Sequence, residues 1–523
     1  MNIKISLKLS PDIRNICILF GIGFIIRSIP NLLTEYPIGY DTIDYATQIY
    51  NWSNVLQDPN IIFKTPLFIL LADIIFIISN CDPFVILRFL QPTLYGFLIA
   101  AFYYACRAFC SWDSKWIFFS ALLFSLQTVT LRISWDLFKN EFALGLLLVT
   151  IPQLKKPQTS SFILLTILIV LSHQIVSFIL LGILFGLIIK NYLSQRYIEA
   201  RNLLLKSAPS IIYFVFVFFF RIDVINLNPQ NTGLSVFSPI IISYPLNQSL
   251  PFPFVNYILG EGLANYQGSY FTLLIDVFSL YVASFMFIAF FIIYELLVVQ
   301  KRLIRNLSNT FDIWMFFCTI PILNCIILPF FALFSWHRWM LMLIVPYSIY
   351  ATTGIIKFTN NIKSHRIQKN FHAIILIFLG VTTALYMAMP HSNPLSLYSA
   401  FNPSSKYAPT TMMRNTVPIE DVPRLETIFQ WTDVHLEQKS CLLVKDAFLD
   451  WAKIFSESNL TLINYKNQDI LTGINYAHSL NFTDIYWIWW NNGVGLLWYG
   501  QVVPDYFVSV YQLDTMNIYK YVP

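Results

Sequence analysis

A short polar stretch between two apolar runs has residues suited to acid–base chemistry. It extends from Glu35 to Asp44 and contains the tripeptide Gly39-Tyr40-Asp41. A Pro–Gly turn delivers Asp41 to the start of residues 42–56, whose helical periodicity and aromatic residues are typical of a helix lying at a membrane interface. A carboxylate held there is suited to deprotonate an acceptor hydroxyl beside a lipid-borne substrate. The alternative role of Asp41 is to N-cap the helix, and the two roles are compatible.

Basic residues near the ends of other apolar runs are suited to bind phosphate. Lys64, in Phe63-Lys64-Thr65-Pro66-Leu67, is a point charge at the mouth of a helix. Arg338, between Trp336-His337 and Trp339, has the forked donors that bind a phosphate in bidentate fashion. The alternatives are ordinary: a snorkelling lysine and an interfacial aromatic belt.

Two more polar features interrupt apolar sequence. Arg132 and Asp136, with Lys139 three residues further on, form a charged corner between two helices. Asp136 is a candidate partner of Asp41, although a simple ion pair within the corner is equally consistent with the spacing. His173 stands alone in a polar break, where a functional residue competes with a satisfied core histidine. Asp44 and His337 are further candidates because they adjoin Asp41 and Arg338.

The composition requires a membrane around these residues. The chain has 523 residues, of which 56% are hydrophobic and 12% are charged, with a net charge of +5. Ordinary soluble chains carry about 25% charged residues. Apolar runs recur between residues 14 and 390, and we expect about 11–13 transmembrane helices. The seven cysteines are scattered without a CxxC pair, which argues against a disulfide framework and a zinc site.

Basic residues predict the orientation of the helices. Six connections rich in Lys and Arg, beginning with the N-terminus, are expected on the cytoplasmic side. The first loop (34–60), a long loop (223–269) and everything after residue 390 are then external. This predicts a multi-pass plasma-membrane protein with a cytoplasmic N-terminus and an extracellular C-terminal domain. The parity of crossings also requires that one of the apolar runs 61–79 and 84–105 be short, tilted or re-entrant, which suggests a cavity near the first loop.

Residues 1–390 therefore form a predicted transmembrane domain, and residues 391–523 a predicted external domain. Helix near 418–437 is followed by strands at 441–445, 460–465 and 484–490, which alternate with helices at 447–457 and 469–479. This alternation predicts a small α/β domain with a partly parallel sheet. It has no glycine-rich phosphate loop. The aromatic residues around Trp489 are expected to rest the domain on the membrane.

The order of these motifs resembles the GT-C membrane glycosyltransferases, in particular the branch of protein O-mannosyltransferases and lipid A aminoarabinose transferases. The shared features are Gly39-Tyr40-Asp41 in the first external loop, Lys64-Thr65-Pro66-Leu67 opening the next helix, and Leu87-Arg88-Phe89 with Gly96 in the one after. The resemblance covers roughly the first 190 residues. Phe63 and Thr65 depart from the family pattern, in which an acidic residue and a proline are common at those positions.

The resemblance implies a GT-C-like fold, catalysis by Asp41 and contact of Lys64 with the phosphate of a polyprenyl-phosphate sugar. Asp136 corresponds to a second acidic loop residue of related enzymes, and Arg132 and Arg338 are the further phosphate-binding candidates. The expected reaction is inverting transfer of a sugar to an acceptor protein, lipid or glycan at the outer membrane face, with membrane lipids as partners and no nucleic acid. A lipid-linked donor removes the need for a nucleotide site.

Two alternatives stay open. The first is an oligosaccharyltransferase- or polymerase-like enzyme, the only one of these functions for which a divalent metal is expected. The segment 489–493, Trp-Trp-Asn-Asn-Gly, is similar to the oligosaccharyltransferase signature Trp-Trp-Asp-Tyr-Gly but lacks its acid, and we interpret the match as coincidental. The second alternative is a carrier that moves a lipid-linked glycan without reacting with it.

Overall fold

A computed structural model of the chain describes most of its sequence. The described residues are 10–51, 66–155, 159–227, 270–299, 310–327, 336–362, 364–389, 411–437, 439–456, 461–465, 470–491 and 502–523. The residues outside these ranges include 52–65, among them Lys64, and 228–269, which is most of the predicted long loop.

Helices dominate the first three-quarters of the chain. In order they are α1 (Pro11–Leu32), α2 (Thr42–Tyr50), α3 (Leu67–Ser79), α4 (Pro83–Phe109), α5 (Ser114–Ser125), α6 (Thr128–Asp136), α7 (Phe138–Thr150), α8 (Thr159–Ser172), α9 (Gln174–Leu193), α10 (Tyr197–Leu227), α11 (Tyr270–Ile293), α12 (Thr310–Ile327), α13 (Trp336–Met342), α14 (Ile344–Asn360) and α15 (His365–Ala388). The predicted break at His173 is where α8 ends and α9 begins.

The apolar helices make this a polytopic membrane protein. Among the described residues, five helices are long and apolar enough to cross a bilayer, and up to eight if each bent helix pair forms one span. Three shorter apolar helices, which include α3 and α8, accompany them. The expected 11–13 crossings are therefore approached only if the bent pairs and the short helices also traverse the membrane.

One of the two apolar runs that follow the first loop forms a short helix, α3. This helix has 13 residues, or about 20 Å at 1.5 Å per residue, whereas a hydrocarbon core is about 30 Å thick. The following helix, α4, has 27 residues and is long enough to span. Of the two apolar runs, the first is therefore the short one.

Close packing of α1 on α4 fixes the start of the first loop. A methyl group added to Gly23 would approach the Cα atom of Gly96 at 3.0 Å, and one added to Gly96 would lie 2.7 Å from the carbonyl oxygen of Phe20. Small residues let membrane helices approach at this distance, where many backbone atoms gain van der Waals contact. The loop that leaves α1 is consequently held against α4.

The C-terminal domain has the predicted mixture of helices and strands. After α16 (Val422–His435) come β1 (Ser440–Val444), α17 (Asp446–Phe455), β2 (Thr461–Asn464), α18 (Ile470–Ser479), β3 (Asp484–Trp490), β4 (Phe507–Leu513) and β5 (Met516–Tyr521). The sheet order is β2-β1-β3-β5-β4, with β1 parallel to β2 and β3 and the last two strands antiparallel. The small, partly parallel α/β domain is confirmed, and β4 and β5 extend it beyond the prediction.

The aromatic residues of β3 form the core of this domain. Trp487 and Trp489 are fully buried and stack on each other with ring centroids 5.3 Å apart. The indole nitrogen of Trp490 donates a hydrogen bond of 2.9 Å to Asp421. The expectation that these tryptophans rest on the membrane is wrong, because β3 is the central strand of the sheet and its side chains are buried in the domain's own core.

The C-terminal domain sits directly on the first loop. The ring of Tyr36 lies edge-on to those of Trp451 and Phe455 of α17, at 6.1 and 6.2 Å. The hydroxyl of Tyr36 donates a 2.6 Å hydrogen bond to Glu426 of α16. Apolar side chains of α2 and α3, among them Ile43, share one buried cluster with the domain. The loop is therefore enclosed between the membrane helices and the C-terminal domain.

Candidate functional site

A glycine brings the first loop onto the end of α6. Gly39 has a φ of +115°, and a methyl group at this position would lie 1.9 Å from the carbonyl oxygen of Trp135. Only glycine combines that backbone conformation with that approach. Asp41 follows Gly39 by two residues and Asp136 follows Trp135 directly, so this contact carries both acidic residues to the same place.

A segment of the C-terminal region closes over the loop. The amide N–H of Gly39 donates to the carbonyl of Arg414 at 3.0 Å. The side-chain amide of Asn415 donates to the carbonyl of Pro37 at 2.8 Å. We call residues 411–416 the strap. Because its hydrogen bonds involve backbone groups on either side of the turn, the strap fixes the path of the chain into Asp41.

Asp41 occupies the N-cap position of α2, but its carboxylate makes no capping hydrogen bond. Its pKa is raised to about 7, chiefly by burial and next by the negative charge of Asp136. The positive charge of Arg338 lowers this pKa, Asp44 raises it and Arg132 lowers it. Asp41 therefore stands at the N-cap position without capping α2, and its pKa lies in the range that suits a general base.

Asp136 lies at the centre of a cluster of arginines. It forms an ion pair with Arg132, and the two side chains are 5% and 11% exposed. The charges of Arg338 and Arg414 also act on its carboxylate. The charges of three arginines therefore act on the carboxylate of Asp136, and guanidinium groups are well suited to bind an oxyanion.

Trp135 holds two of these arginines. The guanidinium carbon of Arg132 lies 5.0 Å from the centre of the indole, and that of Arg414 lies 5.9 Å from it. The indole N–H donates a 2.9 Å hydrogen bond to the carbonyl of Met412 in the strap. Stacking on an aromatic face limits the freedom of a guanidinium while leaving its edge available to oxygen atoms.

Arg414 is the site residue that the sequence analysis missed. It is 3% exposed and belongs to a stretch that was assigned only to the external domain. The one available signal was compositional, since Arg414 is the only charged residue between Lys406 and Glu420. Nothing in its spacing connects it with residues near position 136.

Arg338 reaches the site from the short helix α13. It is half-buried, and its charge acts on Asp41 and on Asp136. His337 precedes it, with its ring edge-on to Trp336 at 5.9 Å. Asp41, Asp136, Arg132 and Arg338 therefore lie within electrostatic reach of one another.

Asp44 and Lys139 lie at the rim of the site. The charge of Lys139 acts on Asp44, as does that of Asp450 from α17. The ammonium group of Lys139 lies 5.6 Å from the ring centre of Tyr45. Asp44 accepts a 2.7 Å hydrogen bond from Gln48 one turn later. These two residues link α2 to the start of α7.

The remaining predicted residues differ in outcome. His173 caps α9, since its Nδ1 atom accepts a 3.2 Å hydrogen bond from the amide of Ile175. This is a sufficient structural reason for a histidine at the break. Lys64 lies outside the described residues. Within the described part of the chain, no group of three or more His, Cys, Asp or Glu side chains is arranged to hold a metal ion.

Known proteins resemble this chain in fold rather than in sequence. No protein-family model matches the sequence, and no curated protein matches it. The crystal structure of ArnT from Cupriavidus metallidurans bound to undecaprenyl phosphate is similar over 97% of this chain and 97% of that chain, with 11% sequence identity and a TM-score of 0.48. A likeness at this level carries no argument for a shared activity or ligand.

Proposed function

We propose that the chain is a membrane glycosyltransferase that moves a sugar from a polyprenyl-phosphate donor to an acceptor hydroxyl, with inversion at the anomeric carbon. One observation carries the proposal: a carboxyl group with a pKa near 7, Asp41, lies within electrostatic reach of Arg338 and Arg132. A general base and an anion site are what a sugar transfer with a phosphate leaving group requires.

In the proposed reaction, the carboxylate of Asp41 removes the proton of the acceptor hydroxyl as its oxygen attacks the anomeric carbon. The bond between that carbon and the phosphate oxygen breaks, and its electron pair stays on the phosphate. A single displacement inverts the anomeric configuration. The guanidinium groups of Arg338, Arg132 and Arg414 stabilise the charge that develops on the phosphate. Lys64 is proposed as a further phosphate ligand.

Asp136 has a positioning role in this scheme. Its ion pair with Arg132 fixes one guanidinium. Its negative charge also keeps the pKa of Asp41 raised, so that Asp41 is a stronger base once ionised. We further propose that the site faces the outside of the plasma membrane, with the N-terminus in the cytoplasm and the C-terminal domain covering the site. The acceptor is a protein, lipid or glycan.

The test uses the purified full chain in lipid nanodiscs. It is supplied with polyprenyl phosphates carrying single sugars, including mannose and aminoarabinose, and with a membrane extract as the source of acceptors. Wild-type protein is expected to release free polyprenyl phosphate and to form a new glycoside of inverted configuration. Asp41→Asn is expected to lower the rate about 10²- to 10⁴-fold.

Asp12→Asn is the matched control, since this exposed acid pairs with Arg107 at the other end of α4 and should leave transfer unchanged. Full activity of Asp41→Asn, in folded protein, contradicts the assignment of the base. Metal-dependent transfer of an oligosaccharide favours the oligosaccharyltransferase-like alternative, and lipid movement across liposomes without transfer favours the carrier.

A further inference from the structure

A buried arginine lies beneath the site, inside the helical domain. Arg27 of α1 is fully buried, and all three of its nitrogen atoms donate hydrogen bonds. Its Nε atom donates to the carbonyl of Ser134 at 3.2 Å, Nη1 to Asn31 at 3.0 Å and Nη2 to the side-chain oxygen of Gln91 at 2.8 Å. One guanidinium thus links α1, α4 and α6.

The same network continues into the first loop. The side-chain nitrogen of Gln91 donates a 3.3 Å hydrogen bond to the carbonyl of Ile38. Ile38 precedes Asp41 by three residues, and Ser134 precedes Asp136 by two. Arg27 is therefore connected to the two chain segments that carry the acidic residues of the site, directly to one and through Gln91 to the other.

We propose that Arg27 is a positioning residue that holds the Asp41 loop and the end of α6 in register through its hydrogen bonds to Ser134 and Gln91. The geometry explains the residue type. A guanidinium presents donors in a rigid planar fork, whereas a lysine ammonium carries its donors on a single flexible atom. Lysine at this position keeps the charge but cannot bond both segments with the same fixed geometry.

The charge of Arg27 has its own compensation. Glu141 of α7 is fully buried and acts on Arg27 electrostatically, as do Tyr95 and Tyr386. Within the described residues, neither carboxylate oxygen of Glu141 has a hydrogen-bond partner. Glu141 therefore balances the charge of Arg27 without a hydrogen bond to it. The guanidinium N–H groups can then donate to the carbonyl of Ser134 and to the side-chain oxygens of Asn31 and Gln91. A neutral residue in place of Arg27 would leave Glu141 uncompensated, so the test keeps the charge.

Two variants test the proposal in the full chain. Arg27→Lys retains the positive charge and removes the fork. Gln91→Glu is isosteric, retains an acceptor for Arg27 and removes the donor to Ile38. Arg107→Lys is the control, because this exposed arginine lies at the far end of α4.

Amide hydrogen exchange, measured by mass spectrometry, decides the proposal independently of any activity. In both variants, peptides covering residues 36–46 are expected to exchange about tenfold faster than in the wild type, with unchanged exchange in the C-terminal sheet. Arg27→Lys is also expected to accelerate exchange in residues 128–137. Wild-type exchange of residues 36–46 in both variants overturns the proposal. Should Arg27→Lys not fold, Gln91→Glu alone decides between these results.

A second readout rests on the proposed glycosyl transfer. The groups that act on Asp41 from the surrounding elements are Asp136 and Arg132 of α6, Arg338 of α13 and Asp44 of α2. Asp136 is the negative charge that raises the pKa of Asp41 most. If the loop moves away from Asp136, this effect becomes weaker. The acid limb of the pH–rate profile is then expected to shift to lower pH in both variants and to stay in place in Arg107→Lys. If residues 36–46 exchange faster but the acid limb does not shift, Arg27 does not control the position of Asp41 relative to Asp136.

Failure of the proposed function gives a different result. If the wild type transfers no sugar from any donor while both variants still loosen residues 36–46, the positioning role of Arg27 stands and the glycosyltransferase assignment falls.

Discussion

The carbonyl oxygen of Trp135 occupies the place where a side chain would begin at Gly39. A methyl group there would lie 1.9 Å from that oxygen. We expect Gly39→Ala to push the first loop away from α6 and to lower transfer at least a hundredfold, because a misplacement of about 1 Å has that effect in other sites. Sugar transfer and melting temperature of the purified chain measure the two consequences.

Gly21→Ala is the matched control for that variant. Gly21 lies in α1, and among the described residues no atom apart from its chain neighbours and the backbone of its own helix lies within 4 Å of the position its Cβ would take. Since alanine favours a helix over glycine by roughly 1 kcal/mol, this variant should melt at the same or a slightly higher temperature and keep full activity. Equal behaviour of the two alanine variants would contradict the importance of the Gly39 contact.

Asp41, the proposed general base, is expected to reduce the stability of the folded protein at neutral and higher pH. Its pKa rises from 3.8 in the unfolded chain to about 7 in the folded protein. The folded state therefore binds the extra proton between about pH 4 and pH 7, and stability falls as the pH rises through that window. Asp41→Asn should melt at a higher temperature than the wild type at pH 8 and at the same temperature near pH 4. Thermal scans at both pH values check this, and a lower melting point at pH 8 would contradict it.

Removing the charge of Asp136 is expected to change the pH dependence of transfer. That charge raises the pKa of Asp41, so Asp136→Asn should shift the acid limb of kcat/KM to lower pH. The rate at high pH should also fall, since Arg132 loses its ion-pair partner. A pH–rate series on one donor measures both effects. A limb that moves to higher pH is the outcome that contradicts the electrostatic coupling of the two acids.

Arg338→Gln is expected to weaken the binding of the donor phosphate. A hydrogen bond to a charged group contributes about 1.5–3 kcal/mol, which corresponds to roughly a 10- to 100-fold increase in KM for the lipid donor. The same substitution removes a charge that lowers the pKa of Asp41, so the acid limb should move to higher pH, opposite to Asp136→Asn. Steady-state kinetics at several pH values separate the two effects. An unchanged KM would exclude Arg338 from the phosphate site.

Trp490→Phe tests the C-terminal domain. Asp421 accepts hydrogen bonds from Trp490, Arg424 and Thr515, at 2.9, 2.7 and 2.9 Å. Phenylalanine leaves one oxygen of this buried carboxylate without its donor, which should destabilise the domain by about 1–3 kcal/mol. Hydrogen exchange in β3 and β5 should accelerate while exchange in the membrane helices does not change. Val434→Ala, at an exposed position of α16, is the control.

Periodicity and local signals in the sequence predict many of the elements of this fold. A polar break of three residues placed the division between α8 and α9, and alternation of apolar stretches predicted β1, α17, β2, α18 and β3. The antiparallel pair β4 and β5 was not predicted. Exposed valines at 508 and 510 give the edge strand β4 a weak pattern, because an edge strand buries less of its side chains than a central one.

The candidate residues follow from the sequence by type and position, but their geometry does not. Asp41 and Asp136 stand in polar segments between apolar runs, and Arg338 stands in a short segment between tryptophans. The spacing of residues in the sequence does not predict that Gly39 contacts the backbone of Trp135. It also does not predict that Arg132 and Arg414 both lie near the indole ring of Trp135. These contacts join segments that are 96 and 282 residues apart in the sequence, and local sequence patterns do not encode such tertiary contacts.

The hydrogen bond between Asn415 and Pro37 joins residues separated by 378 positions. During synthesis, the loop containing Asp41 leaves the ribosome long before the strap is made, so the helices insert while the loop still lacks its cover. The strap can close over the loop only when most of the chain is complete. Maturation of the site is thus a late event in biogenesis, and a nascent chain in the membrane is expected to stay inert toward lipid-linked sugars until its last quarter has folded.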